Sequence, residues 1–390
     1  MLDLFKSVKS LIKLNKVCID NHIFQLHYKA TVCLLMACSI MVTAKQFFGD
    51  PITCITDEIP QKVMDTYCWI QSTFTLPHQL DRVAGAEVAH DGVGSYIDGQ
   101  HEKKYHKYYQ WVVFMLFFQA MCFYVPHYLW KIWESNRVRN LVSDLNNPIL
   151  EDEKKTKQLK SLTMYLKDNF RFHKWYAARF FICEMLNFVN VVVQIWLVDR
   201  FLDYEFSNYG TEVLSFTEMD SEYRTDPMTR IFPKVTKCIF HKYGASGSIQ
   251  TFDSLCILPL NIINEKIYVI LWFWYMFLAV VTGFSIIYRC ILCSSPQFRL
   301  QTLRMRNRIV DFRILESVFN HGDIGDWFLF LLLARNIDQL TYRQLIEQLD
   351  VSIMKKTDRE SFTISMDNER ESKDEVGMLK IEKVDDFKKF

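Results

Sequence analysis

Four stretches of the chain are apolar for long enough to cross a bilayer, and polar segments of very different charge separate them. A hydrocarbon core of ~30 Å takes about 20 helical residues at ~1.5 Å rise each. Residues 108–130 are uncharged over twenty-three positions and residues 267–288 over twenty-two, whereas 175–198 is as long but carries Arg179 and Glu184. Residues 30–44 are the shortest stretch, fifteen uncharged positions between Lys29 and Lys45, and they span if those lysines extend their ammonium groups outward. The pattern therefore predicts membrane helices over 27–45, 108–130, 175–198 and 267–290. Four buried helices of a soluble core would need caps and amphipathic partners, and these stretches lack both.

The intervening segments are patterned differently. Leu4, Phe5, Val8, Leu11 and Ile12 share one helical face, and Lys6, Lys9, Lys13 and Lys16 the opposite one, which predicts a basic amphipathic helix within 1–26. Segments 131–174 and 297–350 read as helical. The apolar run 328–334 is too short to span and is expected to pack within a cytoplasmic helical domain over 291–354. From Lys355 the chain turns to Lys, Asp, Glu and Ser without periodicity, so 355–390 reads as a flexible tail.

Charge gives the spans a direction. Residues 1–29 hold five Lys against two acids and 131–174 ten Lys/Arg against six, whereas 46–107 holds five against nine and 199–266 seven against ten. Loops retained in the cytoplasm are enriched in Lys and Arg, so both termini and 131–174 are expected inside, and 46–107 and 199–266 outside. Arg289, Arg299, Arg304, Arg306, Arg308 and Arg313 follow the fourth span and read as a solvated inner flank, with a calmodulin or anionic-lipid contact as the alternative. Lys6, Lys9 and Lys13 interrupt any apolar signal-peptide core. A net charge of +1 argues against a nucleic-acid partner.

The eleven cysteines divide along this topology. Cys54 and Cys68 fall in one outer segment and Cys238 and Cys256 in the other, which reads as two disulfides with three connectivities open. Cys290 and Cys293 form a lone C-x-x-C, weak as a metal site and readable as a juxtamembrane acylation site or an inert pair. The two outer segments exceed what a connecting turn needs, so they are expected to fold together as an extracellular cap. No Asn-x-Ser/Thr acceptor occurs, leaving that surface open to close protein contact.

No catalytic class, cofactor or metal site is supported. His101 and His106 lie five apart rather than at the i, i+4 spacing of a zincin pair, and no P-loop or G-x-S-x-G occurs. The third span is chemically unusual: Arg179, Asn187, Asn190 and Gln194 fall within roughly 80° around a helix, and Glu184 widens the arc to about 140°. Such a face avoids lipid; it forms interhelical hydrogen bonds or lines a pore. Pro126 deprives the carbonyl of Cys122 of its donor, which predicts a kink in the second span.

Tyr108-Tyr109-Gln110-Trp111 at the edge of the second span, with Phe123-Tyr124-Val125-Pro126 further along, resembles the YYQW signature and proline of the innexins, the invertebrate gap-junction proteins. Gly49-Asp50-Pro51-Ile52, Tyr67-Cys68-Trp69-Ile70, Lys237-Cys238, Cys256 and Asn264-Glu265-Lys266-Ile267-Tyr268 leading into Leu271-Trp272-Phe273-Trp274 extend the resemblance over residues 1–350. One departure is Val112-Val113 where the family pattern has Val-Pro. On physics alone the YYQW rings read as an interfacial anchor.

The resemblance implies an all-α polytopic membrane protein with four transmembrane helices, a disulfide-stapled extracellular cap and a helical cytoplasmic dome. It implies a gap-junction channel subunit at the plasma membrane, assembled with like subunits into a ring, an octamer, that docks with the hemichannel of the adjacent cell and passes ions and small solutes. It implies the bridges Cys54–Cys256 and Cys68–Cys238, and an N-terminal funnel in which Leu2, Asp3, Lys6, Lys9 and Lys13 line the pore. Composition alone favours instead an N-terminal helix lying flat on the membrane lipids of the inner leaflet, its lysines toward anionic headgroups. A non-junctional solute-releasing channel and a four-span adhesion or scaffold protein share these features.

Overall fold

A computed structural model describes residues 17–80, 82–83, 85–97, 99–143, 145, 152–218 and 226–355. The five expected funnel residues, Leu2, Asp3, Lys6, Lys9 and Lys13, lie outside the described residues, as does the tail from residue 356.

Four helices are long and apolar enough to cross a membrane: α1 His22–Phe48, α3 Val112–Glu134, α6 Lys174–Phe201 and α9 Pro259–Ser294. These helices extend beyond the apolar runs at several ends. Helix α1 begins inside the segment assigned to the N-terminal helix, because Asn21 caps it, its side-chain oxygen accepting from the Phe24 amide at 2.6 Å. A π-helical turn over Leu26–Thr31 follows. Residues 108–110 form a 3-10 turn and the second span helix starts at Val112. Helix α9 begins eight residues before the apolar run, with Pro259 at its first position, where a missing N–H costs nothing.

The chain divides into two compact units. The first comprises Asp20–Trp130 and Ile182–Ile287. Within it Val32, Leu35 and Val42 of α1, Leu116 and Phe123 of α3, Val191 and Val198 of α6, and Tyr268, Leu271, Tyr275 and Leu278 of α9 share one buried cluster. The α9 members recur at three- and four-residue spacing, one stripe of a helix.

The outer segments of this unit also hold a sheet that the hydropathy pattern gives no sign of. Strands β1 Thr53–Ile55, β2 Thr73–Thr75, β3 Lys104–His106, β4 Val235–Tyr243 and β5 Ile249–Ile257 pair antiparallel in the order β1-β5-β4-β2-β3. Three of the five strands have three residues, too short for a period of two to register. Strand β4 is buried at three consecutive positions, Thr236–Cys238, and β5 at Ser254 and Cys256, while the hairpin ends of both are exposed, so an in–out alternation runs only through half of β5. Helix α2 Gln61–Gln71 packs against this sheet, and α7 Phe206–Glu218 and α8 Pro227–Ile231 complete the second outer segment.

The second unit contains Lys131–Phe181 with the described residues 17–19 and 288–355. Its helices are α4 Arg137–Val142, α5 Asp152–Asp168, α10 Pro296–Arg306, α11 Phe312–His321, α12 Ile324–Asn336 and α13 over 339–355. The apolar run 328–334 lies in α12, with Phe328 to Leu333 buried, and the Phe328 ring stacks on Phe180 with centroids 4.8 Å apart. Asp326 pins this helix: it accepts from His173 Nδ1 at 2.7 Å and from the Arg171 amide at 2.9 Å, and forms a capping box with Asp323.

Candidate docking platform and span polar face

The outer segments are joined covalently at two points. Cys54 and Cys256 face each other in the register of β1 and β5 with Cα atoms 4.0 Å apart, and their sulfurs are bonded. Cys68, on α2, bonds Cys238, on β4, across a Cα separation of 5.9 Å. All four cysteines are buried, packed with Ile52, Met64 and Leu258. These are the pairings the family resemblance implies. The sulfurs of Cys54, Cys68 and Cys256 lie within 4.8 Å of one another, yet each is half of a disulfide and offers no thiolate to a metal.

Polar contacts reinforce the joint. The Cys54 amide donates to Asp65 Oδ1 of α2 at 2.6 Å. Lys237 of β4, largely buried, pairs with Asp253 at 2.7 Å and donates to the Gly94 carbonyl at 3.0 Å. Lys104 of β3 pairs with Glu205 at 2.5 Å, and Arg230 of α8 bridges Glu205 at 2.9 Å and Glu212 at 2.5 Å. This chain of alternating charges links the first outer segment to the second. His106 of β3 is buried and hydrogen-bonded to Thr75 Oγ1 at 2.8 Å. Burial, with Lys104 adding to it, pushes the His106 pKa down to about 3, so the ring is neutral.

The YYQW motif is placed differently from an interfacial anchor. Tyr109 is fully buried, and its hydroxyl donates to the Cys68 carbonyl at 3.3 Å while its ring lies 4.8 Å from that of Trp69. Gln110 Nε2 donates to the Trp69 carbonyl. Tyr108 packs edge-on to Phe232. Only Trp111, 60% exposed, faces outward as an anchor would. Tyr109 and Gln110 thus fasten the start of the second span to the end of α2 that carries a disulfide, and Tyr108 fastens it to Phe232 after α8, roles that hydropathy reasoning missed. The adjacency of Tyr67-Cys68-Trp69 in the same outer segment was the available signal. Helix α3 runs on through Pro126 to Glu134, and beside that proline His127 stacks on Tyr28 with centroids 3.6 Å apart.

The polar residues of the third span separate by burial. Glu184, Asn187 and Gln194 are buried in the first unit and Asn190 is half-buried there; Arg179, in the second unit, is exposed. Asn21 Nδ2 donates to Glu184 Oε1 at 2.5 Å, and Gln194 Nε2 donates to Asn190 Oδ1 at 3.3 Å. Glu184 and Asn187 line a narrow crevice with Asn21, His27, Thr282 and Ser285.

The exposed side of the platform is apolar in places. Val63 and Ile70 of α2 are exposed, as are Tyr243 and Ile249, which pair at the tip of the β4–β5 hairpin. A rigid two-segment platform that presents such residues is suited to contact with another protein.

Comparison with known proteins gives one consistent result. The Innexin family model matches residues 20–352. Innexin inx2 of Schistocerca americana is 57% identical over 349 residues, covering 90% of this chain and 97% of that protein. Innexin inx2 of Drosophila melanogaster is also 57% identical over 349 residues, with 95% of its length covered, and Innexin shaking-B of the same species is 44% identical over 350 residues, with 94% covered.

Proposed function

The chain belongs to the innexin family, the invertebrate gap-junction channel proteins, and from that premise we propose that eight copies form a ring around a wide pore and dock, platform to platform, with a ring in the next cell. Family and four candidate spans together make it a multi-pass plasma-membrane protein. Transport of ions and small solutes, rather than catalysis, is its role in this reading. The observation that carries docking is the joining of both long outer segments into one sheet by two buried disulfides. Such bridges limit the entropy of long loops and hold an exposed surface in one shape, and the docking residues we assign are the exposed side chains of α2 and the hairpin tip.

Both termini are cytoplasmic in this arrangement, supported by the basic 1–29 and 131–174 and the acidic 46–107 and 199–266. We further assign Leu2, Asp3, Lys6, Lys9 and Lys13 to the cytoplasmic mouth, where a ring of ammonium groups favours anions. Replacing Lys6 and Lys9 with Glu then shifts the reversal potential toward cations without loss of surface assembly. An unchanged reversal potential with weakened membrane association would place the segment flat on the inner leaflet.

Dye transfer tests the function. Contacting cells that both express the chain should pass a small fluorescent dye, and isolated cells should retain it. Release from isolated cells with no transfer between pairs would make it a non-junctional channel; neither transfer nor conductance would make it an adhesion protein.

A further inference from the structure

Helix α10 begins at Pro296, with only Ser295 between it and Ser294, the last residue of α9, so it starts within a single residue's reach of a candidate membrane-spanning helix. At eleven residues it is ~16 Å long. Between its last turn and the start of α11 lies a groove of about 450 Å³ lined by Gln301, Arg304, Met305, Arg308, Val310 and Phe312. The Arg304 guanidinium sits over the Phe312 ring, 4.7 Å from its centroid, an arrangement that holds a cation in place without neutralising it. Arg304, Arg306 and Arg308 are exposed and form no ion pair with a carboxylate among the described residues. The one acid nearby in sequence, Asp311, is engaged in capping α11, accepting from the Arg313 amide at 3.0 Å.

Unneutralised guanidinium groups converging on a half-open groove make a binding site for phosphate, because each presents a planar fork of donors. The surroundings indicate where that phosphate comes from. Phe298, Met305 and Ile309 are exposed on the same short segment, and apolar side chains interspersed with arginines directly after a span fit the headgroup boundary, where apolar side chains enter the acyl region and arginines meet anionic lipid. A free phosphate compound would leave those apolar groups in water.

We propose that the groove between α10 and α11 binds the phosphorylated headgroup of an anionic inner-leaflet phospholipid, with Arg304 and Arg308 holding the phosphate and Phe312 orienting Arg304. This rests on the cytoplasmic placement of residues 291–354, but not on docking or on pore formation.

The test uses the full-length protein purified in detergent, with dioctanoyl phosphatidylinositol bisphosphate as the probe and dioctanoyl phosphatidylcholine as the neutral comparison, read by thermophoresis. Saturable binding of the anionic lipid alone is expected, weakened by salt. It should fall at least about tenfold in the Arg304→Gln/Arg308→Gln double variant and remain unchanged in Lys157→Gln on α5. Arg308→Gln alone, in the loop after α10, should also lose affinity and leaves the helices intact. Equal affinity in the arginine variants would overturn the site. Equally tight binding of inositol trisphosphate, which has no glycerol or acyl chain, would overturn the lipid assignment. Arginine-dependent binding of calcium-loaded calmodulin, with lipid affinity unaltered, would assign the segment to a protein partner instead. Because cell coupling enters none of these readouts, a failure here is distinct from a failure of the channel reading.

Discussion

His106 shows how a single buried side chain ties the outer platform to pH. Its folded-state pKa, near 3, lies below the ~6.5 of an unfolded histidine, so the unfolded chain takes up the proton first. The contribution of His106 to the platform's stability is therefore fully present above about pH 6.5 and is lost progressively as pH falls toward 3. Hydrogen exchange of Thr73–Thr75 and Lys104–His106 should accelerate over that range, and His106→Gln should flatten the dependence. A second residue-scale constraint sits at Gly210 on α7, where an added Cβ would meet the Trp272 ring at 2.1 Å. Gly210→Ala should cost about 1–3 kcal/mol, the usual penalty of overpacking, seen as a lower melting temperature of the purified protein. Neither residue was legible in the sequence: a histidine in a polar loop gives no sign of burial, and a glycine gives no sign of which ring will lie over it. The YYQW motif was legible as a motif, yet its rings served two purposes that composition cannot separate, anchoring at the membrane edge and fastening α2.

Among elements, the span helices could be read because each needs about twenty apolar residues, a signal that few other structures produce. Their ends could not, since Asn21 and Pro259 set them by capping and by proline chemistry outside the apolar run. The sheet was invisible for the opposite reason: strands of three residues carry almost no pattern, and they are held by cross-strand pairing and disulfides between positions far apart in sequence. The disulfide pairing came from family resemblance, because cysteine spacing alone leaves three connectivities. Peptide mapping of unreduced protein should recover Cys54 with Cys256 and Cys68 with Cys238, and no Cys54–Cys68 peptide. The Cys68→Ser/Cys238→Ser pair should destabilise the platform by about 2–5 kcal/mol and lower dye transfer between cells more than it lowers arrival at the cell surface.

For the whole molecule, the alternation of basic and acidic loops fixes an expected direction in the membrane. A tag at residue 150 should be protected from outside reagents in intact cells and one beside Gly92 accessible; the reverse would invert the chain. Assembly lies beyond what one subunit's hydropathy can express, because a ring is specified by surfaces that are complementary only to another copy. Electron microscopy of the purified particle decides whether the chain assembles and docks as proposed. Eightfold rings are expected, with a fraction joined in pairs through the face that bears the disulfide-stapled platforms, and loss of the pairs but not the rings when the exposed side chains of α2 and the hairpin tip are replaced by charged ones. Rings that pair through their other face, or particles that form no ring at all, would contradict that assembly.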